Sequence, residues 1–497
     1  MTDAKQPYVL ALDIGTSSVR ALLFDAEGNT VPNVFSQRKY KLTTSSSGEV
    51  SVDADMLVDL VAQTVTEVLQ SASTMTEHIA AVAMDTFWHS LLGLDDAGHP
   101  ITPVITWEDT RAFAAARELR KELDEEAVHG RTGVRFHASY WPAKLRWLAQ
   151  NEQDVFARAA QWISFGEYLH RKFLGHSICS LSMASATGML VSRARQWDQE
   201  LMQALGVRAE QFSQLGDVSD SIKGLTAEYA SKWPALSEVP WFPAIGDGAS
   251  ACVGSNCTDT ANWSLTMGTS SAIRVVIDPA REIKVPLGLW LYFVDAKRAV
   301  IGGALSEGGN LLNWLCDTMK LPELKDADPL VEAMEPDSHG LTILPFISGE
   351  RSLGWHAEAR MTIAGLSIHT TPPVVLRAGK EAIAAQLLAV HEQLLAALQM
   401  DNTGHKLMAS GGALLNSKVL QQIIADNLNA PVYPSREQEA SARGVALLAL
   451  ETLGIIPDLS KLKPDLLEPV VPDEQRNAIY RKAAARQLDL YRRLFDD

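Results

Sequence analysis

The 497-residue sequence predicts an α/β protein of two related lobes with a cleft between them, and three observations carry that expectation. The segment Leu10-Ala-Leu-Asp-Ile-Gly-Thr-Ser-Ser-Val-Arg20 is echoed by Trp263-Ser-Leu-Thr-Met-Gly-Thr-Ser-Ser-Ala-Ile-Arg274, each an apolar run, a Gly-Thr-Ser-Ser turn and a second apolar run. The flanking runs read as buried strands, so the chain holds two strand-turn-strand units rather than a chance tetrapeptide. Its length, with 46% hydrophobic residues, supplies the core that two large lobes need. Glycine lets backbone N–H groups approach an anion, and Thr and Ser hydroxyls add donors. Two such turns facing one another would grip one polyphosphate from both sides.

The elements follow in order. Tyr8 to Ile14, Val19 to Phe24 and Thr30 to Gln37 read as strands, the last two joined by the turn Asp25-Ala-Glu-Gly28-Asn29. Thr43 to Gly48 is a Ser-rich loop. Asp53 is placed to cap a helix reaching about Leu69, with Leu57, Leu60, Val61, Val65 and Val68 on one face. Ile79 to Met84 resumes strand character. The segment from Trp241 to Ser250 ends the first lobe, which puts the boundary near residue 255, with lobes at 1–255 and 256–497. The second lobe repeats the order with strands around 263 to 302, a helix around Asn310 to Met319, a strand at Leu341 to Phe346 and a long helix from about Ala378 to Leu398. Lys406 to Ser410 then reads as a strand, meeting Gly411-Gly412-Ala413 and a helix from about Ser417 to Leu428. Pro457 to Pro472 is a proline-spaced connector before a last helix, about Asp473 to Phe495.

A net charge of -16, from 44 basic against 60 acidic residues, argues against a nucleic-acid or anionic-membrane surface. Cys179, Cys252, Cys257 and Cys316 form neither a Cys-x-x-Cys pair nor a disulfide framework, and read as buried thiols of a reducing compartment. The N-terminal segment from Met1 shows no signal-peptide pattern, and no apolar run is long enough to span a bilayer, so a cytoplasmic location is expected.

Across essentially its whole length the chain resembles the FGGY family of carbohydrate kinases. Asp13-Ile-Gly-Thr-Ser-Ser-Val-Arg20 is similar to the family's first phosphate turn, Trp107-Glu-Asp-Thr-Arg111 to its Trp-x-Asp-x-Arg segment, and Lys144-Leu-Arg-Trp147 to its first signature. Gly246-Asp-Gly with Gly254, seven residues beyond Asp247, resembles the catalytic segment. Gly268-Thr269-Ser270 resembles the second phosphate turn, Gly349-Glu-Arg351 the Gly-Glu-Arg element and Gly411-Gly412-Ala413 the adenosine turn. Within the family, His89-Ser90-Leu91, Arg131-Thr-Gly133, Ser182 to Gly188 and Trp197-Asp198 lean toward the gluconate-phosphorylating branch, with the xylulose branch second. The chain departs from the family pattern at Trp141, at Ser352-Leu353-Gly354 and near residues 374 to 381. The resemblance implies two RNase-H-like lobes of the actin, hexokinase and Hsp70 superfamily, with ATP and Mg²⁺ between them, and it leaves room for a homodimer.

A sugar hydroxyl is a poor nucleophile, so phosphoryl transfer needs positioning, charge neutralisation and a proton acceptor beside the attacking oxygen. By resemblance Asp247 is that general base; by itself Asp-Gly is an ordinary turn. Asp13 ends a strand just before a phosphate turn, where a carboxylate repels phosphate unless a cation intervenes, which favours Mg²⁺ held through waters. Gly15, Thr16, Ser17, Gly268 and Thr269 are the expected phosphate contacts. By family analogy Gly309 and Asn313 flank the ribose and base, and Gly412, Ala413 and Asn416 wall the adenine. Gly411-Gly412 read alone is equally a tight strand-to-helix connection. Arg20 either touches the transferring phosphate or pairs on the surface.

The sugar is expected against the first lobe, facing Asp247. Trp88 and His89 fall in a segment resembling the family's sugar-contacting loop, although a lone histidine is as often structural. Trp107 is suited to stack on the C–H side of a polyol, or belongs to the core. Asp109 and Arg111 either bond hydroxyls or brace their loop. Arg111, His137 and Lys144 are the residue types able to meet an aldonate carboxylate, but Lys144 is read first as capping or bracing its own helix. The implied reaction is ATP-dependent phosphorylation of D-gluconate to 6-phosphogluconate, with a ketopentose such as xylulose as the alternative acceptor. From a different class, a nucleotide-dependent switch or a non-catalytic sugar sensor would use the same lobes without turnover.

Overall fold

The computed structural model describes residues 4–495. Met1 to Asp3 of the N-terminal segment lie outside the described residues, as do 496 and 497.

The first sheet is built around Tyr8–Ile14, whose seven residues are all buried, as expected of a strand covered on both faces. Ser18–Phe24 and Thr30–Lys39 pair beside it as an antiparallel meander, and the outer strand alternates between buried and exposed positions. On the other side Ile79–Thr86 and then Ile245–Gly246 join in parallel. The second sheet repeats this plan. Asn262–Met267, Ser271–Ile277 and Ala299–Leu305 are antiparallel, while Lys406–Ser410 and Val432–Pro434 add in parallel; Trp290–Phe293 extends the far edge. The duplication visible in two turns therefore extends to two sheets of matching strand order.

Between the sheets lies a pair of helices, Asp247–Gly254 and Ala440–Thr452. They cross backbone to backbone: a Cβ on Gly254 would stand 1.8 Å from the Ala440 carbonyl oxygen, and one on Gly444 would stand 1.9 Å from that of Ser250. The sequence reading assigned no helix at 440–452. That helix, from the C-terminal half, packs onto Tyr8–Ile14 and Ile79–Thr86 of the first sheet. Arg443 fastens the crossing, donating to the Gly28 carbonyl at 3.0 Å and to Asn256 Oδ1 at 2.8 Å.

Local chemistry explains the helix ends. Asp53 caps Ala54–Ala72 by accepting from the Met56 N–H at 2.7 Å. The long helix begins at Pro372 rather than at the expected Ala378, because Pro372 and Pro373 occupy its first turn, where their fixed φ suits a helix and their missing N–H costs nothing. The expected strand 341–346 is the shorter Thr342–Leu344. Trp141, where the chain departs from the family pattern, opens the Trp141–Asn151 helix; its indole donates to the Ser90 carbonyl at 2.9 Å and stacks near Trp197. All four cysteines are buried and unpaired. Among the described residues no helix is long and apolar enough to cross a membrane.

Candidate active site

Three carboxylates gather where the parallel strands of the first sheet end. Asp13 is in register with Asp85 on the neighbouring strand, Asp85 is in register with Ile245, and Asp247 follows two residues later as the first residue of its helix. Gly246 and Gly248 flank Asp247 because Trp88 packs there: a Cβ on Gly246 would fall 1.7 Å from the indole Nε1, and one on Gly248 would fall 2.4 Å from Cζ3. Asp247 Oδ1 accepts the Gly248 N–H at 2.7 Å. Burial lifts its carboxyl to about 6, opposed by that N–H and by the charge of Arg274. A carboxyl poised there is ionised at neutral pH yet basic enough to accept a proton.

Asp85 was missed by the sequence reading. The expected strand stopped at Met84, whereas the observed strand runs to Thr86 and carries Asp85 into the core. Asp85 is fully buried, and neither of its oxygens has a hydrogen-bond partner. Burial, and then the neighbouring Asp13 and Asp247, push it well above the ordinary carboxylate range. Burial also raises Asp13, against the opposing charge of Arg20, whose Nε lies 3.6 Å from Asp13 Oδ2. Arg20 additionally pairs with Glu439. It is thus tied to the carboxylates across the two halves of the chain. Hard carboxylate oxygens, two of them orphaned, suit a hydrated Mg²⁺.

The two phosphate turns share a sequence but close differently, the Gly15 N–H meeting the Ser18 carbonyl three residues on and the Gly268 N–H the Ser270 carbonyl two residues on, each at 3.0 Å. Ser17 and Thr269 are exposed at the tips. The second turn rests on the start of the Gly309–Thr318 helix through Gly309 N–H to Gly268 O (2.8 Å) and Asn310 N–H to Thr269 O (3.0 Å). Gly309 abuts both Gly268 and Ala413, and Gly411, at φ +90°, lies against Met267. This convergence leaves Asn313, Gly412 and Asn416 exposed beside the second turn. These residues, far apart in sequence, form one patch.

Where the sugar is expected, His89 Nδ1 lies 2.6 Å from the Ala186 carbonyl. A carbonyl only accepts, so Nδ1 carries the hydrogen and Nε2 is left as an acceptor. Burial brings the ring to about 3, so it is neutral at physiological pH. Trp88, Tyr140 and Tyr292 surround it, the two tyrosine hydroxyls 2.6 Å apart.

Several expectations change here. Trp107 does not offer both faces to a ligand: Arg351 lies over its ring at 5.1 Å, and its indole N–H is given to Thr16 Oγ1 at 3.1 Å. Asp109 and Arg111 brace their loop, paired at 2.7 Å, with Asp109 accepting the Val50 N–H and Arg111 lying 4.4 Å from the Trp147 ring centroid. Arg111 is therefore committed and not a cation for a carboxylate. Lys144 does not brace its own helix; it donates to the His89 and Ile105 carbonyls at 2.7 and 3.4 Å, and burial brings it down to about 7. His137 is buried and held well below its usual range, so it too is neutral. Arg351, in contrast, makes no ion pair or side-chain hydrogen bond among the described residues. With Trp107, His137, Thr269 and Ser270 it lines a cavity of about 340 Å³. A larger groove, about 980 Å³ around Arg131, Arg193 and Arg281, is lined by neither phosphate turn, and its Arg131 and Arg193 are paired with Asp198 and Glu282.

Two sheets of matching order, a phosphate turn on each, and a glycine-flanked carboxylate where the first leads into a central helix define a two-lobed phosphotransferase for small polyhydroxylated acceptors. The chain belongs to the FGGY family of carbohydrate kinases, whose N-terminal domain matches residues 8–254 and C-terminal domain residues 263–452. It is 27% identical over 461 residues to a gluconokinase of Bacillus subtilis, covering 90% of this chain and 88% of the other. Among solved structures it superposes on a gluconate kinase from Lactobacillus acidophilus with a TM-score of 0.91 at 26% identity, covering 98% of each chain. A xylulose kinase from the same organism gives the same TM-score and identity, covering 99% of each chain. The protein is accordingly a carbohydrate kinase that takes ATP and a small-molecule sugar as substrates.

Proposed function

We propose that the protein phosphorylates D-gluconate at its terminal hydroxyl, giving 6-phosphogluconate and ADP. The carrying observation is Asp247, half-buried between two buried glycines beneath Trp88 and poised at about 6. In this reading Asp247 accepts the hydroxyl proton, with Trp88 and His89 walling the sugar and His89 Nε2 accepting from another hydroxyl. The Gly15–Ser17 and Gly268–Thr269 turns hold the phosphates from opposite lobes, and Gly309, Asn313, Gly412, Ala413 and Asn416 receive the nucleoside. Asp13 holds Mg²⁺, which supplies charge neutralisation at the transferring phosphoryl group. Asp109 and Arg111 act by fixing the loop that carries Trp107, whose indole N–H in turn steadies Thr16. The division into a sugar lobe at 1–255 and a nucleotide lobe at 256–497 belongs to the same reading, as does work in the cytoplasm, where ATP is plentiful.

The likeness to a gluconokinase and a gluconate kinase supports gluconate, and the equal likeness to a xylulose kinase keeps a ketopentose as the second reading. ADP release with Mg-ATP against gluconate, other aldonates, xylulose, glycerol and erythritol decides between them. Gluconate giving the highest kcat/KM upholds the proposal; a ketose or polyol giving it sinks the proposal while leaving the family chemistry intact. Solution mass in the same preparation tests the homodimer.

A further inference from the structure

An aldonate differs from a ketopentose by a carboxylate, and a partly enclosed site that binds one needs a cation there. Arg111 is spent on Asp109, and Lys144 is held by two carbonyls. Two guanidinium groups at the site make no ion pair in direct contact with a carboxylate among the described residues, Arg351 and Arg274, although the charge of Arg274 is felt by Asp247. Arg351 lines a cavity shared by Trp107 and His137 with Thr269 and Ser270, and its charge acts on His89 and Tyr292, so it stands between the aromatic wall and the second turn and is carried into the test as the rival.

Arg274 stands elsewhere. It lies on the Ser271–Ile277 strand that leaves the second phosphate turn. Three residues along a strand carry it about 10 Å from Ser271. Ala272, two residues before it, shares its face and is small, with Ala304 opposite. The next residue across the sheet is Gly302, over which the Trp290 ring leans: a Cβ there would lie 2.8 Å from Trp290 Cη2. Trp290 stacks on Tyr292 at 4.3 Å, and Trp88, packed beside Asp247, meets both rings. The same sheet face thus carries small buried residues, Ala272 and Ala304, between the phosphate turn and Arg274, beside the aromatic wall of the sugar site. The Arg274 Nε is buried without a partner, and Nη1 has only Thr266 Oγ1 at 3.5 Å, the outer limit of a hydrogen bond.

We infer that Arg274 is the residue that reads the acceptor's carboxylate, binding C1 of a hexonate whose other end is presented to Asp247 and the phosphate turns. This rests on the gluconate reading above and names its specificity determinant.

The test compares wild type, Arg274→Gln, Arg274→Lys and Arg351→Gln with D-gluconate and with D-glucitol, the neutral polyol of equal length, at saturating Mg-ATP. Thermal unfolding with and without gluconate is read on each. The expected result is that Arg274→Gln raises KM for gluconate roughly ten- to a hundredfold, the loss of one charge-assisted pair. The gluconate-to-glucitol preference then collapses, KM for ATP holds, and the gluconate-induced thermal shift disappears. Arg274→Lys restores part of the preference. Equal losses with gluconate and glucitol would overturn the inference, since Arg274 would then serve Asp247 rather than the carboxylate. A preference lost in Arg351→Gln but kept in Arg274→Gln would overturn it too. Wild-type enzyme with no preference for gluconate removes the gluconate reading itself, an outcome visible before any variant is compared.

Discussion

Replacing Asp247 by Asn tests the chemistry most directly. Asn keeps the side chain's size and its oxygen, so the Gly248 N–H retains an acceptor and Trp88 keeps its seat against Gly246 and Gly248. What is lost is a base. A carboxyl at about 6 is about nine-tenths ionised at pH 7, so the wild-type site is nearly fully competent there. Removing a positioned general base costs about 10²–10⁴ in rate, or roughly 3–5 kcal/mol of barrier. Wild-type kcat/KM should fall through pH 6, reaching about a tenth of its plateau at pH 5, because the protonated acid accepts nothing. The stability effect has the opposite sign. A carboxyl raised by burial is more readily protonated folded than unfolded, so folding gains as pH falls from about 6 toward the ordinary carboxylate value. Asp247→Asn should therefore unfold at no lower temperature than wild type at pH 8. The assay is coupled ADP release from pH 5 to 9 with each protein's best acceptor, beside thermal melts. A variant retaining more than about a tenth of wild-type kcat, against the 10²-fold minimum expected, would refute the assignment. So would an acidic limb that persists unchanged in the variant's residual activity.

Other consequences are independent of that one. Gly444→Ala sets a Cβ 1.9 Å from a backbone carbonyl of the facing helix, which cannot yield as a side chain would, so urea unfolding should show a loss of about 1–3 kcal/mol or more; an unchanged midpoint refutes the glycine crossing. His391 and His405 sit Nε2 to Nε2 at 2.9 Å beside Trp263, one donating and one accepting, and protonating both leaves two N–H donors facing each other. Burial lowers His391 to about 3 and also lowers His405, while unfolded histidines titrate near 6.5. Stability is thus held above about pH 6.5 and falls as pH drops, by about 1.4 kcal/mol per unit for each fully neutral histidine. An acid slope unreduced in His391→Gln would count against this pair as a source. Asp13→Asn should raise the Mg²⁺ concentration needed for half-maximal rate and weaken Mn²⁺ binding seen by electron paramagnetic resonance, and unaltered metal dependence would exclude Asp13 as the holder.

The sequence determined a good deal by itself. Period, turn chemistry and caps are local properties, and they placed Tyr8–Ile14, the Asp53-capped helix, the Lys406–Ser410 strand and the pair of Gly-Thr-Ser-Ser turns. Ordered motifs added Asp13, Asp247 and the family, because spacing along a chain is itself a sequence property. What tertiary structure alone decided was partnership. Asp85 looked like the residue after a strand until register set it beside Asp13. The Ala440–Thr452 helix carried no signal of its role, since the glycine that shapes it is needed by a carbonyl at Ser250. Arg111 and Lys144 were equal in type to Arg274 and Arg351, and only their neighbours distinguish a guanidinium already paired from one left open. A charge's availability depends on which residues the fold brings within hydrogen-bond reach, and these come from segments tens to hundreds of positions away, where no local pattern extends.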